Sequence, residues 1–239
     1  MADKRILLPF PEGCVTGRLL RREKRFTVHV DLGGRQVAAH TNNSGSMLGL
    51  TRPGSEALLS PAPGAHRKLA WTLELVRLHG FWVGVNTATP NRILAAAHAA
   101  GLLPETRGYP GYRAERRAGD SRLDARLEGP DGRLWVEAKN VTMAEDGVAL
   151  FPDAPTERGR KHLSELIALA RQGERVACFF LVQRPDAACF GPAGVVDPDY
   201  AALFRRALAA GVEAWPYLAT VSELGIGLGR RLPMAGRET

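Results

Sequence analysis

Cysteine is scarce in this chain: Cys14, Cys178 and Cys189 are the three in 239 residues. An odd number at such spacing fits neither a disulfide framework nor a zinc site. Cys178, inside the apolar run VACFFLV, reads as plain core. Aromatic residues make up 7%, which weakens the case for an aromatic-rich sugar cleft. No run of about 18 apolar residues occurs, which excludes a membrane-spanning helix. The opening MADKRILLPFPEG lacks the apolar length and the small-residue cleavage site of a secretory leader. A cytoplasmic protein without membrane contact is expected. No GxxxxGK[ST] phosphate loop is present, and the glycines and prolines follow no period. What remains is a hydrophobic fraction of 45% and a charged fraction of 24%, the composition of an ordinary globular fold.

Lysine is also rare. Lys4, Lys24, Lys68, Lys139 and Lys161 are five of 32 basic residues, so each stands where a compact ammonium was kept in preference to a guanidinium. The formal net charge is +7 and is unevenly spread. Residues 1–86 hold 12 Lys+Arg against 6 Asp+Glu, a net +6, and residues 87–239 hold 20 against 19, a net +1. A basic half steers polyanions to a surface, although an arginine-rich genome would produce the same excess.

Residues 1–86 read as all-β. KRFTVHVDL alternates Phe26, Val28, Val30 and Leu32 against polar neighbours, the period of a half-buried strand, so Phe26 is expected in the core rather than as a stacking aromatic beside the basic cluster Arg21, Arg22, Lys24 and Arg25. Gly33-Gly34 and His79-Gly80 mark hairpins. Short strands at turn-marked intervals suggest a small barrel or sandwich. After Asn86 the pattern becomes α-β-β-β-α-β-α-β, an α/β domain over residues 87–239 (α+β for the whole chain). Thr89, ahead of Pro90, is expected to cap the first helix, and Asp197 the last.

Two tight turns bring carboxylates together. A turn at Gly129-Pro130-Asp131-Gly132 places Asp124 opposite Glu137, and one at Ala118-Gly119-Asp120-Ser121 places Glu115 opposite Asp124. Directly opposed like charges destabilise a sheet, and a hard divalent cation, Mg²⁺ or Mn²⁺, supplies a reason for them. Glu115, Asp124 and Glu137, with Ala138 beside them, form the expected metal set. Asp124, Glu137 and Lys139 form the expected catalytic set for metal-assisted phosphodiester hydrolysis, Lys139 positioning water or stabilising the developing charge.

Candidate nucleic-acid contacts are Arg21, Arg22, Lys24 and Arg25 in one basic cluster, and His66, Arg67 and Lys68 in a second. Arg158, Lys161 and His162 open the helix after FPDAPT, either as phosphate contacts at its N-terminus or as a solvated first turn. Asn43-Ser44-Gly45-Ser46 is either a backbone phosphate cradle or a plain turn. Asp153, Thr142 and Gln183 lie on loops and strand ends near the expected site.

Stretches along nearly the whole chain resemble the sugar fermentation stimulation protein A family: GRLLRREKRF, AAHTNNSGSM, LTRPGSEALLS, VGVNTATPNRI, GDSRLD, VEAKNVTM and FPDAPTERGRKHL among them. The resemblance implies an N-terminal OB-like barrel and a C-terminal restriction-endonuclease-like domain of the PD-(D/E)xK type, with Asp124 as its Asp and Glu137 and Lys139 as its E-x-K. It also implies DNA binding and a regulatory link to sugar metabolism. The family usually has Cys-Pro-Asn-Thr where this chain has Thr41-Asn42-Asn43-Ser44. The expected function is a DNA-binding protein with a divalent-metal nuclease site. The alternatives are a non-catalytic regulator that keeps the fold, and a sugar or nucleotide sensor. Single-stranded DNA, RNA and a homodimer remain open.

Overall fold

A computed structural model describes residues 6–62, 64, 68–118 and 121–236. The elements run β1 (Ile6–Pro9), β2 (Val15–Glu23), β3 (Thr27–Asp31), β4 (Gln36–His40), β5 (Glu56–Pro61), β6 (Trp71–Leu78), β7 (Phe81–Gly84) and α1 (Thr89–Ala99). They continue with β8 (Gly111–Ala118), β9 (Ser121–Gly129), β10 (Gly132–Val141), β11 (Met143–Glu145), β12 (Val148–Phe151), α2 (Glu157–Arg171), β13 (Arg175–Val182), β14 (Cys189–Pro192), α3 (Pro198–Ala209), β15 (Glu213–Ser222) and β16 (Gly225–Arg231).

Strands β4, β3, β2, β5 and β6 pair in that order, and a parallel pairing of β4 with β6 closes them into a five-stranded barrel. Its interior is filled by Leu19, Val28, Val30, Ala39, Leu59 and Leu73 with their neighbours. The hairpin signals match the backbone: Gly33 and Gly34, and His79 and Gly80, all have positive φ, as two-residue turns between twisted strands require. Phe26 departs from its expected place. Lys24 and Arg25 both turn left-handed, at φ 48° and 62°, so the chain enters β3 one residue late and Phe26 stays 48% exposed.

The second unit is a seven-stranded sheet, β1-β16-β15-β13-β10-β9-β8, in which β10, β13 and β15 run parallel. One apolar cluster joins Ile93, Leu94 and Ala97 of α1 to one face. Another joins Leu163, Leu166 and Ile167 of α2 and Phe204 of α3 to the other. The first strand of the chain therefore belongs to this second sheet, through β16, although it precedes the barrel in sequence. No helix among the described residues is long and apolar enough to cross a membrane.

The helix starts are set by small polar devices. Thr156 accepts from Gly159 N at 3.0 Å as the N-cap of α2. Ala88, not Thr89, occupies the N-cap of α1, and Asn86 Oδ1 accepts from the Ala88 N–H instead. Asp197 caps α3 by accepting from Tyr200 N at 2.9 Å, and also accepts from Thr156 N at 2.9 Å and from the Arg160 guanidinium at 2.7 Å. It thus ties together the starts of two helices. Burial alone would raise its pKa, yet the two backbone N–H donors and Arg160 pull it below the usual value. Its contribution is therefore present above the unfolded pKa of about 3.9 and lost on acidification. Asp197→Ala removes a cap, frees the Thr156 N–H and leaves the partly exposed Arg160 guanidinium without its carboxylate. It should cost about 3 kcal/mol, read as a lower urea midpoint at neutral pH; an unchanged midpoint would show the knot to be inert.

Candidate active site

Between β9 and β10 the turn residues set the register expected from them, with Leu134 opposite Leu127 and Val136 opposite Ala125. The ladder ends at that pair. The next two residues are Asp124 and Glu137, and there the Ala138 N–H donates to Asp124 Oδ2 at 2.8 Å. A side chain has replaced a strand partner, and β9 and β10 part at the site. Asn91, in the first turn of α1, donates to Asp124 Oδ1 at 2.7 Å. Lys139 Nζ lies 2.6 Å from Glu137 Oε1, and His162 Nδ1 of α2 bonds the same oxygen. Glu137 Oε2 is buried and has no hydrogen-bond partner.

These two carboxylates titrate apart. Burial, then the charge of Glu137, raises the pKa of Asp124 against the pull of Ala138 N–H, Lys139 and Asn91. Glu137 is also penalised by burial, but Lys139 and His162 overcome it and bring its pKa down to about 2. Glu137 is thus an ionised oxygen donor at neutral pH, and Asp124 carries a charge its surroundings leave undercompensated.

Glu115 does not join them. The β8–β9 register places it opposite Asp124, between the pairs Ala114–Ala125 and Arg116–Leu123. Its φ of 50° breaks the side-chain alternation, and its carboxylate, 60% exposed, faces Arg122 at 3.5 Å. The expected three-carboxylate row is therefore a pair. Among the described residues no group of three or more His, Cys, Asp or Glu side chains is arranged to hold a metal.

The pair lies in a cleft of about 610 Å³ between the barrel and the second domain. Asp124, Glu137, Ala138 and Lys139 line its floor, with Asn140 and Thr142 following along β10. Asn42 to Gly45 of the barrel form one wall, and Pro152 to Thr156 and Arg158 the other. The walls touch: Asp153 O accepts from Ser46 Oγ at 2.6 Å and Asp153 Oδ2 from Met47 N at 3.1 Å. A Cβ on Gly45 would lie 2.3 Å from Asp153 Oδ1, so only glycine allows this approach.

Two expected nucleic-acid contacts serve the cleft from behind. Arg22 donates to the carbonyls of Asn43, Gly45 and Ser46 at 2.6, 3.0 and 3.2 Å and to Arg25 O at 2.9 Å, so its donors shape the wall. His162 is buried against Glu137 and is not at the surface. Asn43-Ser44-Gly45-Ser46 is a turn: Asn43 Oδ1 accepts from Gly45 N at 2.9 Å, and Thr41 Oγ1 from Asn43 N at 3.3 Å. Gln183 is buried beneath β7, its carbonyl accepting from Gly84 N at 3.0 Å, outside the cleft lining. Arg25 and Arg158 line the cleft, and Arg21, Lys24, Lys68 and Lys161 are exposed. His66 and Arg67 lie outside the described residues. Asn42, Asn91 and Asn140 escaped sequence reasoning; an amide near a carboxylate pair gives no sequence signal until the register brings them together.

The sugar fermentation stimulation protein RE domain family matches residues 88–225, and the SfsA N-terminal OB domain family matches residues 20–85. The chain belongs to the sugar fermentation stimulation protein family. The sugar fermentation stimulation protein homolog of Syntrophobacter fumaroxidans is 58% identical over 230 residues, 96% of this chain and 88% of that one. The homolog of Maridesulfovibrio salexigens is 55% identical over 232 residues, 96% and 97%. The structure of Pyrococcus furiosus SfsA in complex with Ca²⁺ superimposes with a TM-score of 0.90 at 30% identity, over 96% of this chain and 98% of that one. The closed barrel is thus the OB domain of the family and the seven-stranded sheet its restriction-endonuclease-like domain.

Proposed function

We propose that this family member is a divalent-metal-dependent nuclease acting on DNA. The observation that carries the reading is Glu137. Lys139 and His162 both hold Oε1, which leaves the buried Oε2 without a partner beside the ionisable Asp124. A buried carboxylate oxygen left bare is costly, and a cation removes the cost. Two carboxylates and the Ala138 carbonyl are hard oxygen donors, and Mg²⁺ commonly takes only one or two carboxylates and keeps several waters; Mn²⁺ accepts the same donors. The Ca²⁺ complex of Pyrococcus furiosus SfsA supports divalent-cation use.

A cation bound there would polarise a phosphoryl oxygen and lower the pKa of a bound water. The residues of the chain supply the rest. Asn91 and the Ala138 N–H fix the orientation of Asp124, and His162 fixes that of Glu137. Lys139 Nζ, directed into the same site, stabilises charge developing on the phosphate. In OB barrels the face of the second and third barrel strands, the loop between the first and second and the loop between the fourth and fifth hold nucleic acid, and β2 is the first of the five strands here. Here those loops are β2–β3, carrying Lys24 and Arg25, and β5–β6, carrying Lys68.

Mg²⁺ or Mn²⁺ should raise the melting temperature, since it binds only the folded site; at 100 times its Kd the gain is about 2.7 kcal/mol. Asp124→Asn should melt at or above the parent in EDTA, because the raised pKa of Asp124 marks a charge that costs stability, and should lose the metal-induced rise. Equal rises in both proteins would remove the metal site. DNA binding without cleavage by the metal-loaded parent would leave the regulator.

A further inference from the structure

Phe26 is the aromatic member of the exposed large apolar side chains among the described residues, 48% exposed. It stands on the β2–β3 loop, where two successive left-handed residues turn it out of the barrel. Its ring stacks on that of His40 at the end of β4, with centroids 6.4 Å apart and planes 22° from parallel. Phe26 O accepts from Thr41 N at 3.0 Å, which fixes the loop against the same strand end. A flat ring is thus held against an imidazole with nearly half its surface in water.

Both partners lead into the cleft. Arg25, one residue before Phe26, lines it. His40 continues through Thr41 into Asn42 and Asn43, which form its wall. We infer that this platform takes an unpaired nucleobase, and that the substrate of the cleft is single-stranded nucleic acid whose backbone passes Arg25 on its way to Asp124 and Glu137. The inference rests on the nuclease reading of the same cleft.

The stacking of paired bases and two observations favour a single strand over a duplex. Paired bases have both faces covered by their neighbours in the stack, whereas an unpaired base offers a face to an aromatic ring whatever its identity. A cleft of about 610 Å³ has the size of a small-ligand site, on the order of 300–1,000 Å³, with room for a nucleotide or two. Its lining includes Asn42, Asn91, Asn140 and Thr142, neutral donors and acceptors that suit base edges and sugars.

The test is binding in EDTA, where cleavage is absent, by fluorescence anisotropy of one labelled DNA oligonucleotide alone and annealed to its complement. The proteins are the parent, Phe26→Leu and Phe26→Trp, each checked by thermal melting. The parent should prefer the unpaired strand. Phe26→Leu should weaken that binding on the order of 10-fold and leave duplex binding unchanged, and Phe26→Trp should restore it. Equal losses on both forms, no loss with leucine, or no rescue by tryptophan would overturn the platform. Because no cleavage is measured, failure here leaves the metal site standing, and a protein that never cleaves DNA can still show the preference.

Discussion

Lys139→Arg should bind DNA and Mn²⁺ as the parent does and cleave labelled DNA 10²–10³-fold more slowly, the effect of removing one preorganised donor. The ammonium lies 2.6 Å from Glu137 Oε1, with its side chain 12% exposed. It shares that oxygen with His162, so space and acceptor are both committed. A guanidinium keeps the charge but is larger and presents its donors in a fixed planar fork. To fit, it must displace His162 or swing into the cleft. The chain uses arginine for 27 of its 32 basic residues and keeps lysine here. The assay runs at saturating protein with Asp124→Asn alongside. Equal trace cleavage by parent and both variants would identify a contaminant, and full activity in Lys139→Arg would reduce the lysine to a counter-charge.

Arg22→Ala should lower stability by about 3 kcal/mol, since it strips donors from four carbonyls, two of them partly buried. Its effect on salt dependence should be absent. Replacing Arg21, Lys24 and Arg25 instead should flatten the slope of log K against log salt by up to about 0.9 per lost phosphate contact on duplex, with little change in melting. Arg22→Lys should behave like Arg22→Ala, because one ammonium cannot reach Asn43 O, Gly45 O, Ser46 O and Arg25 O together. The readouts are thermal melts and binding titrations at several salt concentrations. A flattened slope with unchanged melting in Arg22→Ala would return this residue to the nucleic-acid surface.

The contrast between Arg22 and its neighbours shows how far sequence reading reaches. Turn positions set strand register, and both hairpins kept the pairing their turns demanded, which brought Asp124 beside Glu137. Register says nothing of local handedness. Glu115 at φ 50°, and Phe26 behind Lys24 and Arg25 at φ 48° and 62°, break the alternation that placed one in the metal row and the other in the core. Arginine clusters in sequence do not reveal which guanidinium is already occupied. Arg22 needed the loop 43–46, twenty residues away, to be read. His162 looked like a first-turn cation because helix periodicity alone does not say which strand residue it meets. The amides Asn42, Asn91 and Asn140 converge from three elements, and no local pattern announces that.

The pairing of β1 with β16 imposes an order on biosynthesis. The strands that close the barrel are all made once residue 78 has emerged, and its core is complete with Val83 and Val85. Residues 6–9, made before any of it, have no strand to pair with until residues 225–231 arrive. Until then this strand is an open edge ahead of the barrel strands. Pro9 and Pro11 in and beside it, each without an N–H, make that edge a poor template for the wrong neighbour.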